Sequence, residues 1–304
     1  MPRVPEQIAQ TWSQTDEGRE LLHTLPELLD SLSRRFDLAS VGEAWTGGCV
    51  GFVAPGERTD GTRVVLKISL SDDEHRHEAD ALERWGGHAA VLLLDRVDTP
   101  NVMLLERLEP GTSLLGHPDL HDAMGIACDV LIRLQLPLTD PHPFVLVTDF
   151  ARGYTEWIPE AFERSGRRFD AGLAAEAVAL CEAFANRPGP QYLVNRDFHR
   201  GNVLAAAREP WLAIDPKPLA GERAFDTGHL LRDLLSETPD NVEIGRLVDQ
   251  LAGDLDLERD RVRGWALVRS VENALWCLED DPAGGDDDPA AWDVAVAACL
   301  ARLD

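Results

Sequence analysis

Lysine is nearly absent from this chain. Of its 29 basic residues only Lys67 and Lys217 are lysines, and the rest are arginines. High-GC coding alone depletes lysine, but a lysine that persists marks a position where a compact ammonium serves and a planar guanidinium does not. Cysteine is sparse as well. Cys49, Cys128, Cys181, Cys277 and Cys299 are scattered without a CxxC pair. That excludes a zinc ribbon or a disulfide framework and suits reduced thiols in a cytoplasm. No run of 18 apolar residues occurs, so no membrane-spanning helix is expected. The opening MPRVPEQIAQTWSQ has no basic start followed by an apolar run, so no secretory signal is expected. Positive charge is outnumbered: 54 acidic residues leave a formal net charge of −25. Nucleic acid is therefore an unsuitable partner. A cationic small molecule would be drawn in, although a solvated acidic surface needs no ligand at all.

What is present reads as an α+β chain in two parts. In residues 17–36, Leu21, Leu22, Leu25, Leu28, Leu29, Leu32 and Phe36 recur at helical spacing, as in an amphipathic helix. GEAWTGGCVGFVAP and TRVVLKISL have the alternation and β-branching of strands. A polar helix is expected from about Asp72 to Trp85. Two more strands, AAVLLLDRVD and NVMLLERL, meet at a turn around Pro100. This β-rich part spans residues 1–108. From 109 to 304 the pattern is mainly helical, with helices expected over 117–138, 170–186, 226–236, 241–252, 258–279 and 290–303. A β-interruption falls at 203–215. There is no internal repeat, and the acidic stretch 280–288 reads as a solvated loop.

The interruption carries the chemistry. Asp197 stands five residues before Asn202, the apolar run VLAAA follows, REP turns the chain, and WLAI ends at Asp215. If the two runs form a hairpin, its open end holds both Asn202 and Asp215. An amide oxygen and two carboxylates then converge. Phosphoryl transfer uses such a set: Mg²⁺ takes hard oxygen ligands, here Asn202 and Asp215, and the acceptor hydroxyl loses its proton, here to Asp197. Asp and Asn are also common turn residues, so an ordinary loop is the bland alternative.

Lys67 lies in the strand VVLKI, shortly before the glutamate-bearing helix. A strand lysine paired with a helix glutamate is how kinases hold nucleotide phosphates. Glu78 is the better partner and Glu74 the second choice. Gly47 and Gly48, with Gly51, could cover phosphates through backbone N–H groups, or could simply turn a hairpin. By position alone, Glu106 and Leu108 in LLERL would form the hinge whose backbone meets adenine.

These residues carry a family resemblance. WTGGCVGFV, VVLKI, LLERLEPGTSL, DFHRGNVL, AIDPKPLAGERAFD and ENALWCLEDD are similar to the aminoglycoside phosphotransferases of the protein-kinase-like superfamily, in the aminoglycoside and hydroxyurea kinase branch that includes streptomycin kinases. The resemblance implies a two-lobed kinase fold and an enzyme that uses ATP and Mg²⁺. It implies Asp197 as catalytic base, Asn202 and Asp215 as metal ligands, and Lys67 with Glu78 as the phosphate clamp. His199 would support the loop, and Asp226 would anchor the segment after Lys217 or cap the next helix. One departure stands out. The family usually has His-Gly before the catalytic aspartate, and this chain has Asn195-Arg196. Arg196 would set a cation beside the base.

The acceptor site is expected on the helical part. Asp149, Glu156 and Trp157 form one candidate patch. Glu272, Trp276, Glu279 and Asp280 form another, both suited to a cationic sugar. The leading expectation is a kinase for an aminoglycoside such as streptomycin, acting as a monomer or homodimer. The alternatives are a metabolic amino-sugar kinase and a nucleotide-binding pseudokinase.

Overall fold

The computed structural model describes residues 2–46, 51–72, 75–139, 141–280 and 290–303. The chain divides into two compact units, residues 1–112 with 204–217 and residues 113–203 with 218–304.

The first unit opens with helices α1 (Glu6–Ser13) and α2 (Asp16–Arg35). Thr15 caps α2 by accepting the Gly18 N–H at 3.0 Å. Asp16 and Glu17 stand at the positive end of α2, and Arg34 and Arg35 at the negative end. There follow β1 (Leu38–Val41), β2 (Gly51–Arg58), β3 (Arg63–Ser69), helix α3 (Glu78–Trp85), β4 (Leu93–Val97) and β5 (Asn101–Glu106). The strands form one antiparallel sheet in the order β1-β2-β3-β5-β4. β6 (Pro110–Ser113) comes next.

Central strand β3 sorts its residues by alternation. Val64, Leu66 and Ile68 join Phe52, Val102, Leu104 and the buried leucines of α2 in a single core. Lys67 falls between them and projects from the opposite face, where it meets Glu78 on α3. Helix α3 starts at Glu78, not near Asp72 as the sequence suggested. Asp72 Oδ1 accepts the His75 N–H at 2.9 Å, and that local turn competes with helical bonding.

The second unit is mainly helical. It begins with α4 (Leu120–Leu134), α5 (Val147–Arg164), α6 (Ala171–Asn186) and β7 (Tyr192–Asn195). β8 (Val203–Ala206) and β9 (Trp211–Ala213), which fall with the first unit, form with β6 a three-stranded sheet in the order β6-β8-β9. β10 (Pro218–Gly221) pairs antiparallel with β7, setting Pro218 opposite Asn195. Helices α7 (Thr227–Leu234), α8 (Asn241–Asp254), α9 (Arg259–Asp280) and α10 (Ala291–Leu300) complete it. α4 is shorter than its sequence pattern. Asp119 caps it by accepting the Asp122 N–H at 3.0 Å, and Leu136 precedes Pro137. Helix α5 escapes sequence reading because it has no side-chain cap at Leu146 and carries Pro159 inside. Cys128 and Cys181 are buried free thiols, and burial pushes both up to about 12. Among the described residues no helix is long and apolar enough to cross a membrane.

Candidate active site

In the first unit, chemistry gathers at Lys67, which is only 6% exposed. Its Nζ donates to both Glu78 oxygens, at 2.6 and 2.7 Å, and to Asp215 Oδ1. Burial works against the ammonium, but the Glu78 and Asp215 carboxylates outweigh it and hold the Lys67 pKa above the usual lysine range. Burial pushes the 1%-exposed Glu78 carboxyl up, and Lys67 pulls it back. Asp215 sits two residues past β9 with φ 51°, in the left-handed region that short polar residues tolerate best. That turn brings a half-exposed carboxylate onto Lys67.

Gly47, Gly48 and Glu74 lie outside the described residues. The Glu106 carboxylate accepts the Leu92 N–H at 2.8 Å and Arg208 Nη2 at 2.5 Å, so its side chain is committed to the fold. Leu108 lies between β5 and β6. Its carbonyl crowds Gly111, where φ is +71° and a Cβ would stand 2.9 Å from that oxygen.

In the second unit, a loop after β7 carries Asp197. The Asp197 N–H donates to Asn195 Oδ1 at 3.1 Å, and Asn202 Nδ2 donates to the Asp197 carbonyl at 3.2 Å. With its NH₂ turned onto the loop, Asn202 has its Oδ1 end for a cation. His199 Nδ1 accepts the Gly201 N–H at 3.0 Å, the supporting bond expected of it. A Cβ on Gly201 would stand 2.6 Å from that imidazole, so a side chain there would displace the ring. Arg200 fastens the loop to α7. Its N–H and Nε both reach Asp233 Oδ2, at 2.9 and 2.8 Å.

Asp226 does not cap α7 with its side chain. Its carboxyl group turns inward and accepts the Asn195 N–H and Gln135 Nε2, each at 2.8 Å. Burial pushes this carboxyl up to about 8, opposed by those two donors and Arg223. Asp226 thus ties the start of α7 to the residue that holds Asp197. Asp226→Asn is expected to lower the unfolding free energy by about 1–3 kcal/mol, because a new NH₂ would face Gln135 Nε2. Gln135 is not free to flip, since its Oε1 accepts Arg223 Nε at 2.7 Å. The folded carboxyl keeps its proton up to about 8, whereas the unfolded one releases it near 3.8. Its contribution to stability is therefore full at low pH and withdrawn as pH rises toward about 8. Denaturant unfolding at pH 5 to 9 checks both points, and the variant should lack that decline.

Glu272 corrects the expectation of an open acceptor patch. It is 1% exposed and pairs with Arg196 at 2.8 Å and Arg269 at 2.5 Å. Burial opposes its charge, but Arg269 and Arg196 hold the carboxyl below its usual value. Arg196 is correspondingly engaged, with its guanidinium 4.5 Å from the Phe150 ring and 5.5 Å from Trp276. Trp276 itself is 43% exposed and meets Trp157 edge-on at 6.4 Å. Glu156 is exposed, while Asp149 pairs with Arg152 at 2.6 Å and Glu279 with Arg164 at 2.5 Å. The Asp280 side chain lies outside the described residues. His229 is a residue the sequence offered no reason to choose: its Nδ1 stands 3.2 Å from Asp197 Oδ1. Its spacing from the DxHxxN segment carries no local signal.

A sheet lysine clamped by a helix glutamate and a strand-end aspartate, with a separate Asp–Asn loop, defines a phosphotransferase of the protein-kinase-like fold. The chain belongs to the aminoglycoside/hydroxyurea antibiotic resistance kinase family, which matches residues 44–281. It is 36% identical over 300 residues to the streptomycin 6-kinase of Streptomyces glaucescens, covering 97% of this chain and 96% of that one. It is 38% identical over 268 residues to the hydroxyurea phosphotransferase of Kitasatospora aureofaciens, covering 86% and 76%. The fold is similar to that of a thermostable mutant of the aminoglycoside phosphotransferase APH(4)-Ia in complex with ADP and hygromycin B. That match has a TM-score of 0.60 at 14% identity over 90% of this chain and 97% of the other. The chain is thus an ATP-dependent enzyme that phosphorylates hydroxyl groups.

Proposed function

We propose that this enzyme transfers the γ-phosphate of ATP, with Mg²⁺, to a hydroxyl of a streptomycin-type aminoglycoside. The observation that carries the proposal is the buried Lys67–Glu78 ion pair, joined by the half-exposed Asp215. A buried ammonium locked by two carboxylates keeps its charge and its place, as a phosphate clamp requires.

In this reading residues 1–108 bind the nucleotide, and residues 109–304 supply the catalytic loop and the acceptor site. Lys67 holds the α- and β-phosphates, Glu78 holds Lys67, and backbone groups near Glu106 and Leu108 meet adenine. Asn202 and Asp215 are the residues that would hold Mg²⁺, since each brings a hard oxygen donor. Bound there, the ion would neutralise charge on the transferring phosphate. Asp197 orients the acceptor hydroxyl and takes its proton. Trp157 and Trp276, with Glu156, Asp149 and Glu279, suit a cationic sugar that stacks over aromatics.

A second acceptor has a specific observation behind it. Glu272 is already neutralised by Arg196 and Arg269, which removes one anion from the acceptor region and is compatible with uncharged hydroxyurea. A coupled ADP-release screen over streptomycin, hydroxyurea, amino sugars and choline-type amines separates these readings. Streptomycin is expected to give the highest kcat/KM. A higher value with hydroxyurea would reassign the acceptor. ADP release at background with every compound would favour a pseudokinase.

A further inference from the structure

We propose that His229 is the positioning residue for Asp197: its Nδ1–H donates to Asp197 Oδ1 and so fixes the orientation of the carboxylate. The proposal rests on Asp197 being the base. Its warrant is a set of constraints on one nitrogen atom. His229 Nδ1 lies 3.2 Å from Asp197 Oδ1 and 3.4 Å from Arg269 Nη2. An ionised carboxylate can only accept, so the nearer contact requires a proton on Nδ1. Arg269 can only donate. Burial opposes a second proton on the ring, and the positive charge of Arg269 acts in the same direction. The ring stays neutral. A neutral donor steers the carboxylate without holding it as strongly as an imidazolium would, which preserves a base able to take a proton.

The neighbours keep the ring in place. His199 stacks on His229 with centroids 4.9 Å apart and an interplanar angle of 27°. Arg269 is held by Glu272 at 2.5 Å, so the cation is fixed near the ring. One nitrogen or oxygen from each of Asp197, His199 and His229 lies within 4.8 Å of the others, a spacing some metal sites share. His199 Nδ1 already accepts the Gly201 N–H, which argues for a hydrogen-bonded cluster here.

Two isosteres separate the role from mere packing. Asparagine places an NH₂ where Nδ1 stands, and glutamine places one nearer Nε2. With the acceptor that the wild-type enzyme turns over, His229→Gln is expected to lower kcat by about 10- to 100-fold, with KM for ATP and acceptor within about threefold. His229→Asn should recover most of that loss. Equal activity in both variants, or losses confined to KM, would overturn the proposal. Long-range ¹⁵N–¹H spectra of the histidine-labelled full chain with ADP give a second readout independent of turnover. They should show His229 as the Nδ1–H tautomer, and an Nε2–H tautomer would refute the hydrogen bond. Asp197→Asn run in parallel keeps the two ideas apart. If that variant retains turnover, the base assignment fails whatever His229 does.

Discussion

Replacing Asp197 with asparagine is expected to cut turnover by about 10²- to 10⁴-fold and leave the KM for ATP nearly unchanged. The carboxamide has nearly the carboxylate's size. The hydrogen bonds that hold this residue's backbone, to Asn195 and from Asn202, do not involve the carboxyl group and survive the change. What is lost is a site for the acceptor's proton. The transferring phosphoryl group carries much of its own reactivity, so the loss stops short of abolition. Steady-state kinetics with the best acceptor, alongside nucleotide binding by calorimetry, check the result. Turnover within about threefold of wild type would remove Asp197 from the role of base.

Replacing Lys67 with methionine should be more damaging, because two functions fail together. Phosphate clamping is lost, with turnover expected to fall by about 10²-fold or more. Glu78 is also left buried and without its cation. Breaking a buried ion pair by removing one partner costs up to about 3–5 kcal/mol, limited here because Glu78 can take up a proton. The two losses can be separated. The double variant Lys67→Met with Glu78→Gln should regain much of the stability and none of the activity. Thermal melts and ADP release, measured on the same preparations, test this. Activity that returned with stability would show that Lys67 only holds the fold. Lys67→Arg should fail as well. A guanidinium is too wide for the position between the two Glu78 oxygens and Asp215 that one ammonium occupies.

Much of this clamp is legible in the chain. Lys67 stands out because lysine is otherwise almost missing, and it falls in a β-branched run whose alternation places it off the core face. Glu78 follows from the helix periodicity that continues it with Ala79 and Leu82. Asp197, Asn202 and Asp215 share one short segment, so local spacing marks them. The turn at Asp72 that delays α3 is less visible, since a polar run of that composition also suits a helix. Helix α5 is hidden for a related reason: its interior proline reads as a breaker when no tertiary packing is known.

The acceptor region is where sequence reading stops. Glu272, Trp276 and Glu279 do lie near one face of α9, and that spacing suggests an exposed acidic patch. Burial decides otherwise for Glu272. Its partner Arg196 lies 76 residues away in sequence, and no periodicity links them. The unusual Asn195-Arg196 pair takes its meaning from the same contact. Arg196 is matched by a carboxylate and aromatic rings, and Asn195 keeps the hydrogen bond that holds Asp197.

The amino-acid sequence by itself determined an α+β chain and marked a strand lysine, a helix glutamate and an Asp–Asn–Asp set, because each of these is visible in neighbours within a short segment or in simple periodicity. Only the tertiary structure decided which polar and charged groups are spent on the fold. Glu272 on Arg196 and Arg269, Asp226 on Gln135 and the Asn195 N–H, and His229 on Asp197 are pairings between distant positions. The physical reason is burial. A polar or charged group removed from water must find its partner in three dimensions, and nothing local in the chain records which partner that is.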